Sequence, residues 1–224
     1  APEVIVEEPW VHSGIGQHAV LSCIVYAEPP AEVRWYRSPL RLDVTDDHPG
    51  ERQGNRHCLI IRQVQLQDLD NYTCEAHNNL GKARQHVVLS GKPHMVVFRS
   101  PNLSKWRDSY NISWSVFSYT PVEEYRLYFR RSQMAGLHIS TNFVHDAWGN
   151  LTYFYMREWT DVTLPAGFSD EDTQEMSYLI RGLEPATQYE AKVQARNNFG
   201  WSRMSDVLLF TTRGIGTYKF HSSN

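Results

Sequence analysis

A chain of 224 residues in which 41% of the side chains are hydrophobic and 12% aromatic has the length of two ordinary domains and enough apolar residues for a core in each, which excludes disorder over most of its length. Its formal net charge of -3 gives no electrostatic reason to expect nucleic acid or an acidic membrane surface as a partner. The sequence has no run of 18 apolar residues and begins with the acidic stretch APEVIVEEPW, so we expect neither a transmembrane helix nor a signal peptide in it.

Short apolar runs separated by turn residues fill residues 1–90. Runs such as AVLSCIV, AEVRWYR, CLIIRQV and NYTCEAH alternate apolar and polar side chains, and EPP and HPGERQGN stand between some of them. Alternation with a period of two is the pattern of half-buried β-strands, and many short strands with regular turns are typical of a sandwich. The first part of the chain is therefore predicted to be a β-sandwich.

Two cysteines, a tryptophan and a tyrosine occur in this region with a spacing that indicates a domain type. Cys23 is followed twelve residues later by Trp35, and Tyr72 stands two residues before Cys74. This order resembles that of an immunoglobulin domain and implies a disulfide between Cys23 and Cys74, packed on Trp35, with Tyr72 as a tyrosine corner. Strand alternation agrees, because it directs both sulfur atoms into one core. A disulfide makes a cytosolic location improbable.

Residues 68–81, DLDNYTCEAHNNLG, contain two aspartates, a cysteine and a histidine, as a metal or catalytic site would. In the immunoglobulin resemblance, Asp68 instead pairs with an arginine across the sheet, here Arg52 or Arg56. The AHNNLG part further resembles the A-x-N-x-x-G hairpin of the I-set subclass. We interpret the segment as structural, and we expect neither a metal ion nor a cofactor.

The third cysteine, Cys58, is left without an intramolecular partner. In HCLIIRQV, Leu59 and Ile61 are expected to face the core, which turns Cys58 outward. An odd cysteine in a secreted chain is either a free thiol or half of an intermolecular bridge, and we favour the free thiol.

The domain organisation follows from composition. Residues 90–94, SGKPH, place glycine and proline after an apolar run, which is typical of a linker. We predict an immunoglobulin-like domain over 1–90, a second domain over 91–213 with a long insert at about 132–174, and a tail over 214–224.

The second domain begins with the alternating run NISWSV, in which Ile112, Trp114 and Val116 face one way, so we expect Trp114 to be buried. Further along, LEPATQYEAKVQARNNFG carries an L-x-P-x-T-x-Y pattern that ends at Tyr189. These features resemble a fibronectin type III domain and imply a second sandwich with Tyr189 at its tyrosine corner. The predicted fold is therefore all-β: two tandem β-sandwiches, immunoglobulin I-set then fibronectin type III.

The segment WSRMS, residues 201–205, resembles the W-S-x-W-S signature of cytokine receptors, with Met204 in place of the second tryptophan. We interpret it as structural. Trp201 is expected to stack on guanidinium groups of the outward-facing row to which Arg196 belongs.

The predicted insert is rich in aromatic residues, which are enriched at the anchors of protein interfaces. It is interpreted either as an additional strand whose alternate aromatics pack on the sandwich, which we favour, or as a partner-binding ledge. The residues concerned are Trp148, Tyr153, Phe154, Tyr155 and Trp159.

Four N-x-S/T triplets indicate N-glycosylation, at Asn71, Asn102, Asn111 and Asn150. Asn71 and Asn111 fall on the outward side of their predicted strands and can carry sugar without disturbing a core. We expect most of the four to be occupied, and a glycan on Asn150 would shield part of the aromatic insert.

No G-x-S-x-G, H-E-x-x-H or glycine-rich phosphate loop is present, so we do not expect an enzyme. The order of the two domains and the immunoglobulin segment resemble insect neural adhesion proteins of the klingon, wrapper and lachesin kind. This resemblance implies an adhesion protein on the extracellular face of the plasma membrane of neurons or glia, which binds cell-surface proteins homophilically or heterophilically. It also implies further immunoglobulin domains before residue 1 and an anchor, often a lipid anchor of the GPI kind, beyond the tail. The alternative is a signalling-receptor ectodomain that binds a soluble ligand.

Overall fold

The chain is all-β, as the sequence predicts. The computed structural model describes residues 1–37, 40–42, 49–132, 144–145, 151–152 and 159–214, and these residues contain strands and one short 3-10 helix, with no α-helix among them. They form two compact units, whose main boundary lies between Pro93 and His94. Each unit is a β-sandwich with a core of its own.

Nine strands and the 3-10 helix Leu66–Asp68 form the first domain. The strands are β1 (Glu3–Ile5), β2 (Trp10–His12), β3 (Ala19–Tyr26), β4 (Glu32–Arg37), β5 (Leu40–Leu42), β6 (Gly50–Gln53), β7 (Arg56–Ile61), β8 (Asn71–Asn78) and β9 (Gly81–Ser90). One sheet has the order β1-β3-β7-β6 and the other β2-β9-β8-β4-β5. Only the pairing of β2 with β9 is parallel among these strands.

The core of the first domain follows from strand alternation. In β3, every second side chain from Ala19 to Val25 is buried, and in β8 the same holds from Tyr72 to Ala76. Because successive side chains of a strand point to opposite faces, these two sets meet between the sheets. Cys23 and Cys74 lie there with their Sγ atoms bonded at 1.98 Å, in the same cluster as Trp35. The predicted disulfide is confirmed.

Ten strands form the second domain. They are β10 (Val97–Phe98), β11 (Ser109–Phe117), β12 (Glu124–Arg131), β13 (Val144–His145), β14 (Leu151–Thr152), β15 (Thr160–Pro165), β16 (Thr173–Arg181), β17 (Gln188–Asn197), β18 (Gly200–Trp201) and β19 (Leu208–Thr211). One sheet has the order β10-β11-β16, and the facing sheet the order β15-β12-β17-β18, with β19 also paired to β17. Strands β13 and β14 pair only with each other among the described strands.

Large aromatic side chains fill the second core. Trp114 is fully buried, as the sequence predicts, and its ring centroid lies 5.4 Å from that of Tyr125 in an edge-on arrangement. Tyr110 stacks on Phe210 at 3.8 Å. At the predicted tyrosine corner, the hydroxyl of Tyr189 accepts a hydrogen bond from the backbone N–H of Glu184 at 2.9 Å. The two sheets are therefore held by aromatic packing without any disulfide.

The insert predicted at about 132–174 ends earlier than predicted, because residues 160–165 form a strand of the sandwich. Strand β15 pairs with β12 along its whole length, from Thr160 opposite Phe129 to Pro165 opposite Glu124, and β16 begins at Thr173. Residues 160–165 are therefore a regular edge strand of the sandwich. The sequence did not separate this strand from the residues before it, because a polar, partly exposed edge strand has weak alternation.

Alkaline pH should weaken both domains through buried tyrosines, of which Tyr72 in the first domain and Tyr125 in the second have the pKa values that are raised most; burial also raises the pKa of Tyr110 in the second domain. Burial raises the pKa of Tyr72 to about 12 and that of Tyr125 to about 12, whereas an unfolded tyrosine titrates near 10. Between about pH 10 and about pH 12, the folded state therefore keeps a tyrosine proton that the unfolded state has lost. The contribution of each tyrosine to the free energy of unfolding is complete below about pH 10 and disappears as the pH rises towards about 12. We expect each domain to lose roughly 1 kcal/mol between about pH 9 and about pH 11, measured by urea unfolding. Tyr72→Phe should abolish the tyrosine-linked part of this loss in the first domain, and equal losses in the variant and the parent would contradict the prediction.

Candidate functional site

The aromatic residues of the insert are the candidate partner-binding residues of the sequence, although packing on the sandwich is the favoured interpretation. One of them lies within the described part of the chain. Trp148, Tyr153, Phe154 and Tyr155 lie outside the described residues, as does Asn150. The candidate surface is therefore built from Trp159 and the side chains around it on the outward face of the sheet that contains β12 and β17.

Trp159 lies against this sheet, one residue before β15. Its half-buried ring has two cations close to its centroid, the Arg130 guanidinium carbon at 4.3 Å and the Lys192 ammonium nitrogen at 4.2 Å. A cation over an indole face contributes about 0.5–2 kcal/mol, depending on how far both groups are desolvated. For this aromatic residue, the structure agrees with packing on the sandwich.

The same face carries ion pairs along neighbouring strands. Arg126 contacts Asp161 at 2.9 Å, and Arg130 contacts Glu190 at 3.0 Å. Because most of these groups are partly exposed, each pair contributes only about 0–1 kcal/mol. Their alternation of sign leaves the face with both positive and negative groups, which suits a protein partner with mixed charges better than a nucleic acid.

The WSRMS segment completes this face. The Arg196 guanidinium carbon lies 5.8 Å from the ring centroid of Trp201, so the predicted stacking is confirmed. The hydroxyls of Ser202 and Ser205 accept hydrogen bonds from the backbone N–H groups of Ala195 and Val193, at 3.1 and 2.9 Å. Both serines satisfy backbone donors of β17 and act structurally, which accounts for the motif without a ligand.

In the first domain, Asp68 belongs to the tyrosine corner. Its Oδ1 accepts a hydrogen bond from Arg37 at 3.1 Å, and its backbone carbonyl accepts one from the Tyr72 hydroxyl at 2.8 Å. The partner predicted for Asp68 was wrong: Arg52 donates to the carbonyl of Gly54, and Arg56 donates to Ser22 and Glu7. Arg37 stands at the end of β4, which neighbours β8 in the same sheet, and it lies opposite Tyr72 there. Only the pairing of these two strands reveals how close it is to Asp68.

Within the segment 68–81, two of the four residues that suggested chemistry have structural roles. Asp68 is ion-paired, and Cys74 is bonded to Cys23. In the described residues, no group of three or more His, Cys, Asp or Glu side chains is placed to hold a metal ion.

Cys58 lies on the outer side of β7, between the partly buried His57 and the buried Leu59. It is half-buried and forms no disulfide with the other described residues. Burial raises the pKa of its thiol, which lowers the thiolate fraction at neutral pH and so its reactivity. A free thiol and an intermolecular bridge both remain predictions.

Three of the four predicted glycosylation sites lie in the described residues, and all three asparagines are exposed: Asn71 on β8, Asn102 before β11, and Asn111 on β11. On β8 and β11 the adjacent Tyr72, Tyr110 and Ile112 are buried, so the Asn71 and Asn111 side chains point away from the core as predicted.

The part of the chain that the structure describes contains no helix with the length and hydrophobicity needed to cross a bilayer.

A cleft that the sequence does not predict lies elsewhere in the second domain. It has a volume of about 220 Å³ and lies beside β11, where the segment before that strand folds over it. Trp106, which is 47% exposed, is among its lining residues. An exposed tryptophan in a loop gives no periodic signal, so only the folded chain reveals the cleft.

Comparison with known proteins agrees with both domains. Residues 2–90 match the immunoglobulin I-set domain, and residues 102–211 match the fibronectin type III domain. The chain therefore consists of an I-set domain followed by a fibronectin type III domain, as predicted from the sequence.

Each of two relatives matches one region that makes up about a third of this chain. It is 40% identical over 78 residues to human leucine-rich repeats and immunoglobulin-like domains protein 3, covering 35% of this chain and 7% of that protein. It is 32% identical over 75 residues to smooth muscle myosin light chain kinase of Gallus gallus, covering 34% of this chain and 4% of the kinase. The chain thus spans less than a tenth of the length of either relative.

Among solved structures, a titin M10–obscurin-like 1 Ig complex matches with 26% identity and a TM-score of 0.38, covering 39% of this chain and 90% of that chain. The twitchin kinase region of C. elegans matches with 31% identity and a TM-score of 0.37, covering 39% of this chain and 16% of that chain.

Proposed function

We propose that this chain is an extracellular adhesion and recognition module of a cell-surface glycoprotein, and that it acts by binding other proteins. The observation that carries the proposal is the disulfide between Cys23 and Cys74, whose residues are 1% and 0% exposed in the first core. Structural disulfides persist in oxidising compartments and are rare in the cytosol. The exposed Asn71, Asn102 and Asn111 support the same pathway, because each is accessible for a glycan.

The neural character of this module is the finer part of the proposal. It rests on the resemblance of the first domain and the domain order to insect adhesion proteins of the klingon, wrapper and lachesin kind. On that basis, the chain belongs to a neuronal or glial surface protein held at the plasma membrane by an anchor outside this sequence. Its partners are cell-surface proteins, either a second copy or a different protein.

Binding is proposed for the outward face of β12 and β17, where Trp159, Arg130 and Lys192 lie together. Tryptophan and arginine are the residues most enriched among those that dominate interface energies. The alternative, a receptor for a soluble ligand, rests on the WSRMS resemblance alone, and the hydrogen bonds of Ser202 and Ser205 explain that motif within the domain. A signalling tail in the complete gene product would favour the alternative.

Secretion tests the location. We expect the chain, expressed behind a leader peptide in insect cells, to be secreted with a mass that falls on N-glycosidase treatment. Thiol labelling of the denatured protein should find one reactive cysteine before reduction and all three after it. The matched control replaces Asn71, Asn102, Asn111 and Asn150 by glutamine and should show no mass change. An untreated chain that has all three thiols free and carries no sugar would overturn the extracellular assignment.

Adhesion is tested separately by sedimentation equilibrium of the secreted chain with and without reductant, and by aggregation of cells that display the full-length protein. A reductant-independent dimer that Trp159→Ala weakens would support a homophilic face at Trp159. A dimer lost with reductant would assign self-association to Cys58 instead. Full-length protein that neither aggregates nor binds any cell type would overturn the adhesion function.

A further inference from the structure

The cleft beside β11 is bounded on one side by the outer surface of that strand and on the other by the segment 99–106. Its lining combines apolar, hydroxyl and basic side chains. Among the lining residues are Arg99, Leu103, Ser104, Lys105, Trp106 and Asn111. It therefore contains one of the predicted glycosylation sites, Asn111, within its own wall.

The direction of Asn111 follows from the strand. Its neighbours Tyr110 and Ile112 are buried at 1% and 0% exposure, so the Asn111 side chain points to the outer surface of the sheet. Asn102 is also exposed and close in sequence, but it does not line the cleft. A glycan on Asn111 starts inside the cleft wall, whereas a glycan on Asn102 starts outside it.

The chemistry of the cleft suits a sugar. Pyranose rings have apolar C–H faces and hydroxyl edges, and an aromatic ring with polar neighbours offers surfaces that match both. Trp106 and Leu103 are 47% and 63% exposed, which leaves apolar area uncovered at the cleft. Arg99 and Lys105 supply N–H donors at its edge.

The segment that carries Trp106 is fixed before any sugar arrives. The Trp106 backbone N–H donates to the Ser104 hydroxyl at 3.0 Å, and its carbonyl accepts from the Arg213 N–H at 2.9 Å. The Ser104 hydroxyl donates to the Ser109 carbonyl at 2.6 Å. The backbone N–H and the carbonyl of Trp106 are thus both hydrogen-bonded. Because this backbone is already ordered, little conformational entropy is lost when a ligand packs on Trp106.

We propose that the N-glycan attached to Asn111 folds back into this cleft and packs its innermost sugars against Trp106. The inference rests on the proposed function, because only a chain that passes through the secretory pathway receives this glycan. The sugar then acts as part of the second domain: it covers the exposed Trp106 and Leu103 and stabilises the segment 99–106. Asn71 and Asn102 do not line this cleft, so the proposal assigns their glycans no packing against Trp106.

The test is a double-mutant cycle on the secreted glycoprotein, with thermal unfolding of the second domain as readout. Asn111→Gln and Trp106→Ala are each expected to lower its Tm by about 4 °C, and the double variant to lower it no further than either one alone. In the matched cycle of Asn102→Gln with Trp106→Ala, the shifts should add, because the Asn102 glycan does not contact the tryptophan.

A second readout does not depend on the stability of variants. In the native protein, N-glycosidase should release the Asn111 glycan more slowly than the Asn102 glycan, and in Trp106→Leu the two rates should become equal. Equal release rates for the two glycans in the protein without substitutions would overturn the inference, as would additive Tm shifts for Asn111→Gln and Trp106→Ala. Either result would leave the proposed function intact. Mass spectrometry that finds Asn102 glycosylated but Asn111 bare would overturn it as well. A chain with three free thiols and no sugar at any site would contradict the extracellular assignment too.

Discussion

Replacing both Cys23 and Cys74 by alanine is expected to lower the free energy of unfolding of the first domain by about 4 kcal/mol, the largest effect of any change considered for that domain. The two cysteines are separated by 51 residues, and the cross-link removes the conformational freedom of that loop from the unfolded chain. In the chain-entropy account, a loop of this length corresponds to about 4 kcal/mol. Small domains are stable by only about 5–15 kcal/mol, so the loss removes roughly a quarter or more of the stability of the domain.

Urea unfolding under non-reducing conditions measures this effect, with hydrogen exchange to assign each transition to its domain. The matched control is Cys58→Ser, which removes a thiol that is not part of the cross-link and should change stability by no more than about 0.5 kcal/mol. Reduction of the parent protein should reproduce the double variant. If the double variant unfolds at the same urea concentration as the parent, the disulfide does not stabilise this domain.

Trp114→Ala is expected to destabilise the second domain by about 3–5 kcal/mol. The side chain is fully buried and packs edge-on against Tyr125 at 5.4 Å between ring centroids. Truncation removes its dispersion contacts and opens a cavity that the two sheets cannot close, because strands on both sides are held by their hydrogen-bonded neighbours. The first domain has a separate core, so only the transition of the second domain should move.

Trp114→Phe is the matched control for this prediction. The indole N–H of Trp114 is buried and has no hydrogen-bond partner among the described residues, so phenylalanine removes an unpaired polar group while it keeps part of the ring volume. We expect Trp114→Phe to cost clearly less than Trp114→Ala, again by urea unfolding with hydrogen exchange. Equal costs for the two substitutions would show that ring volume does not set the stability at this site.

Much of the fold was predictable because its signals are local. The alternation in AVLSCIV and NISWSV fixes which side chains face the core once a strand forms, so the burial of Cys23 and Trp114 followed directly. The stacking of Trp201 on Arg196 was also predictable, since both residues belong to one hairpin. The edge strand Thr160–Pro165 was missed, because its exposed polar side chains resemble those of a loop.

The outward direction of Asn71 and Asn111 could be predicted from the sequence, since it depends on alternation along single strands. The two sandwiches and the disulfide could be predicted as well, because local motifs resemble those of the immunoglobulin and fibronectin type III families and the alternation agrees with them. Tertiary structure alone decided that Arg37 pairs with Asp68, that Trp159 lies between Arg130 and Lys192, and that Asn111 shares a cleft with Trp106. The reason is physical: ion pairs, cation–π contacts and clefts depend on distances between side chains, and the folded chain determines those distances where strands from different parts of the sequence are brought together.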